Sequence, residues 1–73
     1  MTNNLAKATV ARRVNLAVSE AGSDVQSVAQ AADITTSEMD DRLNGRVDFQ
    51  IDELVRVGGF LRVPVSRFLE EAA

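Results

Sequence analysis

Cysteine, histidine, tyrosine and tryptophan are all missing from the 73-residue chain. Without cysteine there is neither a disulfide to staple a small core nor a thiolate to hold zinc. With histidine and tyrosine gone as well, most of the usual general acids, bases and nucleophiles are absent, and the remaining carboxylates, serines and single lysine form no catalytic spacing. Neither an enzyme nor a cofactor or metal site is expected. Proline occurs once, and phenylalanine, the sole aromatic type, three times. No stretch approaches the roughly 18 consecutive apolar residues of a membrane span, and the N-terminus lacks the basic-then-apolar order of a signal peptide. The expectation is a cytoplasmic protein with no membrane contact.

What is present is a chain with 45% hydrophobic residues, short enough to form one domain, residues 1–73, and poor in turn-forming proline. A compact bundle of helices is the solution that this composition favours, at the low end of what an unstapled core can hold. Seven of the eight basic residues are arginine, and alanine and valine abound, the flavour of a high-GC genome. Formal charge is −3 and the isoelectric point near 4.7.

Residues 23–45, SDVQSVAQAADITTSEMDDRLNG, organise the rest. Val25, Val28, Ala29 and Ala32 form a narrow apolar stripe at helical spacing, with so little bulk that another helix can approach closely. Ser23 with Gln26, or Asp24 one residue later, caps this helix. The turn is Asp33-Ile34-Thr35. Thr35 then opens a capping box with Glu38, fixing where the next helix, Thr36 to Asn44, begins. Met39 and Leu43 mark its inner face, and Asn44-Gly45 stops it.

Before this pair, Thr2, Asn3 and Asn4 can cap a first helix from about Leu5 to Ala21. Its stripe is Ala6, Val10, Val14, Ala17, Val18 and Ala21, and Gly22 ends it. Lys7, Arg12 and Arg13 give it a local charge of +3, read either as a solvated face or as the edge of a phosphate-binding surface. After the pair, Phe49, Ile51, Leu54, Val55 and Gly58 continue the core pattern on a helix from about Ile51 to Leu61, with Phe49 packing back as a staple and Gly58 marking either a close helix crossing or a weak point. Pro64 breaks the chain, and a last short helix spans about Val65 to Glu71. Phe60, Phe68 and Leu69 either complete the core or form an apolar seam for a second copy.

The order of cap, small apolar stripe, tight turn and short helix ending in Leu43-Asn44-Gly45-Arg46, followed by Phe49-Gln-Ile-Asp-Glu-Leu and Val63-Pro64-Val65, resembles the Cro/C1-type (XRE-like) helix-turn-helix family, as found in small phage repressors of high-GC bacteria. The likeness covers about residues 10–70. It implies an all-α, five-helix domain of the phage-repressor (lambda repressor-like) type, with the helix-turn-helix motif at about 24–45. One departure stands out: Arg62 occupies the place where relatives tend to carry a C-capping glycine, which suggests a different helix ending.

The resemblance also implies a site. Helix 36–44 would lie in the major groove of an operator in double-stranded DNA, Thr36, Ser37, Glu38 and Asp41 would read base edges, and Gln26, Arg42 and Arg46 would grip the backbone. Gln26 stands next to Val25, where the family often has its glutamine, and is either a phosphate contact or consumed by the cap. Arg42 and Arg46 are phosphate contacts, or else solvated or Asp48-paired arginines. A homodimer through the C-terminal helix (Phe60, Phe68, Leu69) completes this reading. Against it stand Glu38, Asp40 and Asp41, three acids within four positions of a helix that should face a polyanion. A second class of function follows from them: the same fold reused as an acidic protein-interaction module, an antirepressor or host-factor inhibitor that docks Glu38, Asp40 and Asp41 on a basic protein. Whether the basic residues converge on the outer face of the motif separates the two.

Overall fold

The computed structural model describes residues 7–69. Five helices follow in order, α1 (Lys7–Glu20), α2 (Val25–Ala32), α3 (Thr36–Leu43), α4 (Ile51–Leu61) and α5 (Val65–Leu69), and the described residues contain no strand. The expected start at Leu5, the cap candidates Thr2, Asn3 and Asn4, Ala6 and the helix end at Glu71 lie outside the described residues.

Each of the first four helices ends where the backbone can turn left-handed. Gly22, Asp33, Gly45 and Arg62 all have φ between 63° and 77°. At each of the four, the next amide reaches back to a carbonyl five residues earlier: Ser23 to Val18, Ile34 to Ala29, Arg46 to Asp41 and Val63 to Gly58. These bonds absorb carbonyls that the last turn leaves unpaired. Arg62 corrects the expectation of a different ending at this point. The left-handed cap is there, carried by an arginine, with the Cβ strain that glycine would avoid.

Sequence-local signals also set the starts. Asp24, not Ser23, caps α2, its carboxylate accepting from the Ser27 amide at 2.8 Å. Gln26 is therefore not consumed by the cap. At α3 the Thr35 hydroxyl accepts from the Glu38 amide at 3.0 Å, and the Glu38 carboxylate from the Thr35 amide at 2.9 Å, closing the expected box. Both carboxylates sit below their ordinary range, chiefly because backbone amides, Ser27's and Thr35's, donate to them.

The small stripe of α2 allows α3 and α4 to pack on it, while α1 lies against α3 and α5, and α4 against α5. Their shared core is Val10, Val14, Ala17, Val18, Val28, Ala29, Ala32, Met39, Leu43, Leu54, Val57 and Phe68, with Phe49, Ile34, Val63 and Leu69 packed around it. Three expected core positions are not in it. Ala21 is exposed because α1 ends at Glu20, and Ile51 and Val55 point to solvent because α4 turns Glu53, Leu54, Val57 and Gly58 inward instead. Phe68 is fully buried and Phe60 about half exposed, so Phe68 is core and cannot serve as a seam.

Gly58 does mark a close approach, though not a helix crossing. A Cβ there would meet the Val63 carbonyl oxygen at 2.5 Å and a Phe68 ring carbon at 3.6 Å. The missing side chain lets the chain fold back beneath α4 and seat Phe68. At Gly59, one residue on, a Cβ would meet nothing within 4 Å.

Candidate nucleic-acid interface

Three connections hold α3 in place. Its inner side chains, Met39 and Leu43, are buried. The capping box secures its first turn. At its last turn Asn15, on α1, donates through Nδ2 to the Leu43 carbonyl at 2.9 Å, and through the same atom to Ala11 in its own helix. Asn15 is exposed and lies outside the buried stripe of α1, so hydrophobic spacing passes over it.

The outward side of this anchored helix is polar. Thr36, Ser37, Glu38 and Asp40 are exposed, and Asp41 is half-buried. Thr36 and Ser37 make no side-chain hydrogen bond among the described residues. Glu38 remains exposed, but its carboxylate is held by the cap. Gln26 is exposed on the second position of α2.

Arg42 is not an outward residue. Its Nε donates to Glu53 Oε1 at 2.8 Å, and the two side chains are only 12% and 6% exposed. Its Nη1 donates to the Glu38 carbonyl at 3.0 Å. The hydrogen bond it donates to Glu53 raises its pKa further, so it is a permanent cation held between α3 and α4. The same Glu53 oxygen accepts from the Gln50 amide at 3.0 Å and caps the start of α4. The expected phosphate contact at Arg42 is corrected accordingly: a guanidinium committed to a buried carboxylate is a strut, because releasing it would strand the carboxylate without its charge partner.

Arg46 is exposed and paired, but not with Asp48. Its Nη1 stands 3.2 Å from Asp41 Oδ1 and 3.9 Å from Asp40 Oδ2, folded back over the two acids of α3. Beside this turn, Arg12 lines a shallow hollow with Asn15, Leu43, Asn44 and Gly45. Arg13, its neighbour in sequence, points elsewhere, into a groove shared with Leu16, Ala17, Val63 and Arg67, and donates to the Phe68 carbonyl at 3.4 Å. The two arginines diverge because consecutive positions on a helix are about 100° apart. Hence Arg12 lies beside the turn that ends α3 and Arg46 follows that turn, folded over Asp40 and Asp41, whereas Arg13 and Arg42 are engaged elsewhere. The side chain of Lys7 lies outside the described residues.

Among the described residues no group of three or more acids stands close enough to hold a metal ion, and no helix is long and apolar enough to cross a membrane. No family model matches the chain, and no curated protein matches it.

Proposed function

We propose that the chain is a small DNA-binding transcriptional regulator resembling the Cro/C1-type repressors, which lays α3 in the major groove of an operator. The observation that carries this reading is a helix pinned at both ends and along its inner face, whose first-turn side chains Thr36 and Ser37 have no structural task. A helix with its side chains is about 10–12 Å across, which suits a major groove about 12 Å wide. Rigid presentation of short polar side chains is what base-edge hydrogen bonding requires. In this reading Thr36, Ser37 and Asp41 face bases, and Gln26, Arg46 and Arg12 face phosphates. Arg46 is available at small cost, since an exposed ion pair is worth about 0–1 kcal/mol and a phosphate replaces it.

A second reading is favoured by one feature: α3 exposes Glu38 and Asp40, with Asp41 half-buried beside them, while its one arginine, Arg42, is committed to the buried Glu53. In that case the acidic face docks on a basic protein. Fluorescence anisotropy with a generic duplex over a range of salt separates the two. For the DNA reading, binding at low salt weakens linearly with log salt, with a slope of about −2 for the two phosphates that Arg12 and Arg46 neutralise. Arg46→Ala lowers that slope by about one. Absence of binding at the lowest salt would refute the DNA reading and leave the acidic face as a protein ligand.

A further inference from the structure

Among the described residues, four of the five large apolar side chains that remain exposed lie on α4 or just before it: Val47, Ile51, Val55 and Phe60. Their positions follow from the helical period. With Glu53, Leu54, Val57 and Gly58 turned into the core, the outer side of α4 presents two neighbouring rows, Ile51-Val55-Gly59 and Asp52-Arg56-Phe60, each in steps of four. Ile51 is 60% exposed and Val55 51%. The helices packed on α4, α2 and α5, meet its inner side and leave these rows without a helix packed on them among the described residues.

The outer face is complementary to itself. Its first half is acidic, with Asp48 just before the helix and Asp52 in the first turn, and its second half is basic, with Arg56 and the cap residue Arg62; all four are exposed. It is also large at the start, where Ile51 stands, and small near the end, at Gly59, beside which there is open space. An antiparallel twin brings Ile51 over Gly59 and Phe60 of the other copy, and places acids opposite arginines at both ends. A parallel twin would set like charges together. Asp52 and Arg56 already pair within the helix at 3.4 Å, and such an exposed pair exchanges partners readily.

We propose that a second copy of this chain docks antiparallel on the outer face of α4, in an isologous contact centred near Val55. This places the seam on Ile51, Val55, Gly59 and Phe60, and not on the buried Phe68 of the C-terminal helix. It does not depend on the DNA reading. One helix against one helix makes an interface below the standard size, so the dimer is weak, with a Kd on the order of 10–100 µM.

Sedimentation equilibrium of the full chain from about 5 µM to about 1 mM, spanning that Kd, tests it. The expected mass rises with concentration from 7.9 kDa toward twice that value. Val55→Asp and Gly59→Leu each weaken association at least about tenfold; circular dichroism confirms that both stay helical, since neither site is packed within the chain. Leu16→Asp, at an exposed position on α1, leaves association unchanged. A mass of 7.9 kDa throughout would overturn the proposal. So would association that survives both α4 variants but is lost on Leu16→Asp, which would move the seam to the groove between α1 and α5.

Discussion

Replacing Glu53 by alanine removes more than one interaction, because a single oxygen of this side chain accepts from Arg42 Nε at 2.8 Å and from the Gln50 amide at 3.0 Å. The Arg42 side chain, 12% exposed, would be left nearly buried without a counter-charge. Breaking a buried pair from one side costs about 3–5 kcal/mol, against a total stability of about 4–11 kcal/mol for a chain of this length. Glu53→Ala should therefore lower the Tm by well over about 10 °C or leave the chain partly unfolded at room temperature. Replacing both partners, Arg42→Met with Glu53→Leu, removes the desolvation cost together with the attraction and should come within about 1–2 kcal/mol of the original, the residue being mainly the lost cap on Gln50. Far-UV circular dichroism during urea unfolding is the suitable assay, since the chain has no tryptophan or tyrosine to report by fluorescence. A loss below about 1 kcal/mol in Glu53→Ala, or a double variant as damaged as the single one, would refute the view of this pair as a buried strut.

The two adjacent glycines of α4 should respond oppositely to alanine. Gly58→Ala forces a Cβ into the Val63 carbonyl and should destabilise by more than about 1 kcal/mol, while Gly59→Ala gains helix propensity in open space and should stabilise by about 0.5–1 kcal/mol, both read from urea midpoints. Arg62→Gly relieves the left-handed conformation at φ 63° and should raise the Tm; a fall would mean that the arginine side chain holds the cap in some other way. Acid should weaken the start of α3. Glu38 has its pKa depressed below 4.5 in the fold, mainly by the Thr35 amide, so its contribution is fully present above about pH 4.5 and is lost as pH falls through the folded value. Tm measured against pH should show the native chain losing its advantage over Glu38→Gln in that range, and parallel curves would contradict the box as an ionised acceptor.

The legibility of the chain follows the range of the forces involved. The capping box at Thr35 and Glu38, the stop at Gly45 and the inner pair Met39 and Leu43 involve residues within a turn or two of each other, so the one-dimensional pattern contains them whole. The same holds for the bounds of α4 and for the buried stripe of α2. Ile51 and Val55 fit a helical core pattern as well as Leu54 and Val57 do. Which arc of α4 turns inward depends on what α2 and α5 present to it, and that is not local. Likewise the glycine at 58 announced a close approach, but only the returning chain identifies Val63 and Phe68 as the atoms approached.

By itself the sequence determined five helices, the capping box and stop of α3 and its polar outer face, since these follow from backbone hydrogen bonding and side-chain periodicity within each segment. Only the tertiary structure decided where the charges go. Arg42 and Arg46 read alike in the sequence, four residues apart on one short stretch. Packing of α4 against the motif gives Arg42 a buried carboxylate, whereas the turn after Gly45 carries Arg46 into solvent over Asp41. A cation's partner is set by distance and burial in three dimensions, and the spacing of residues along a chain specifies neither.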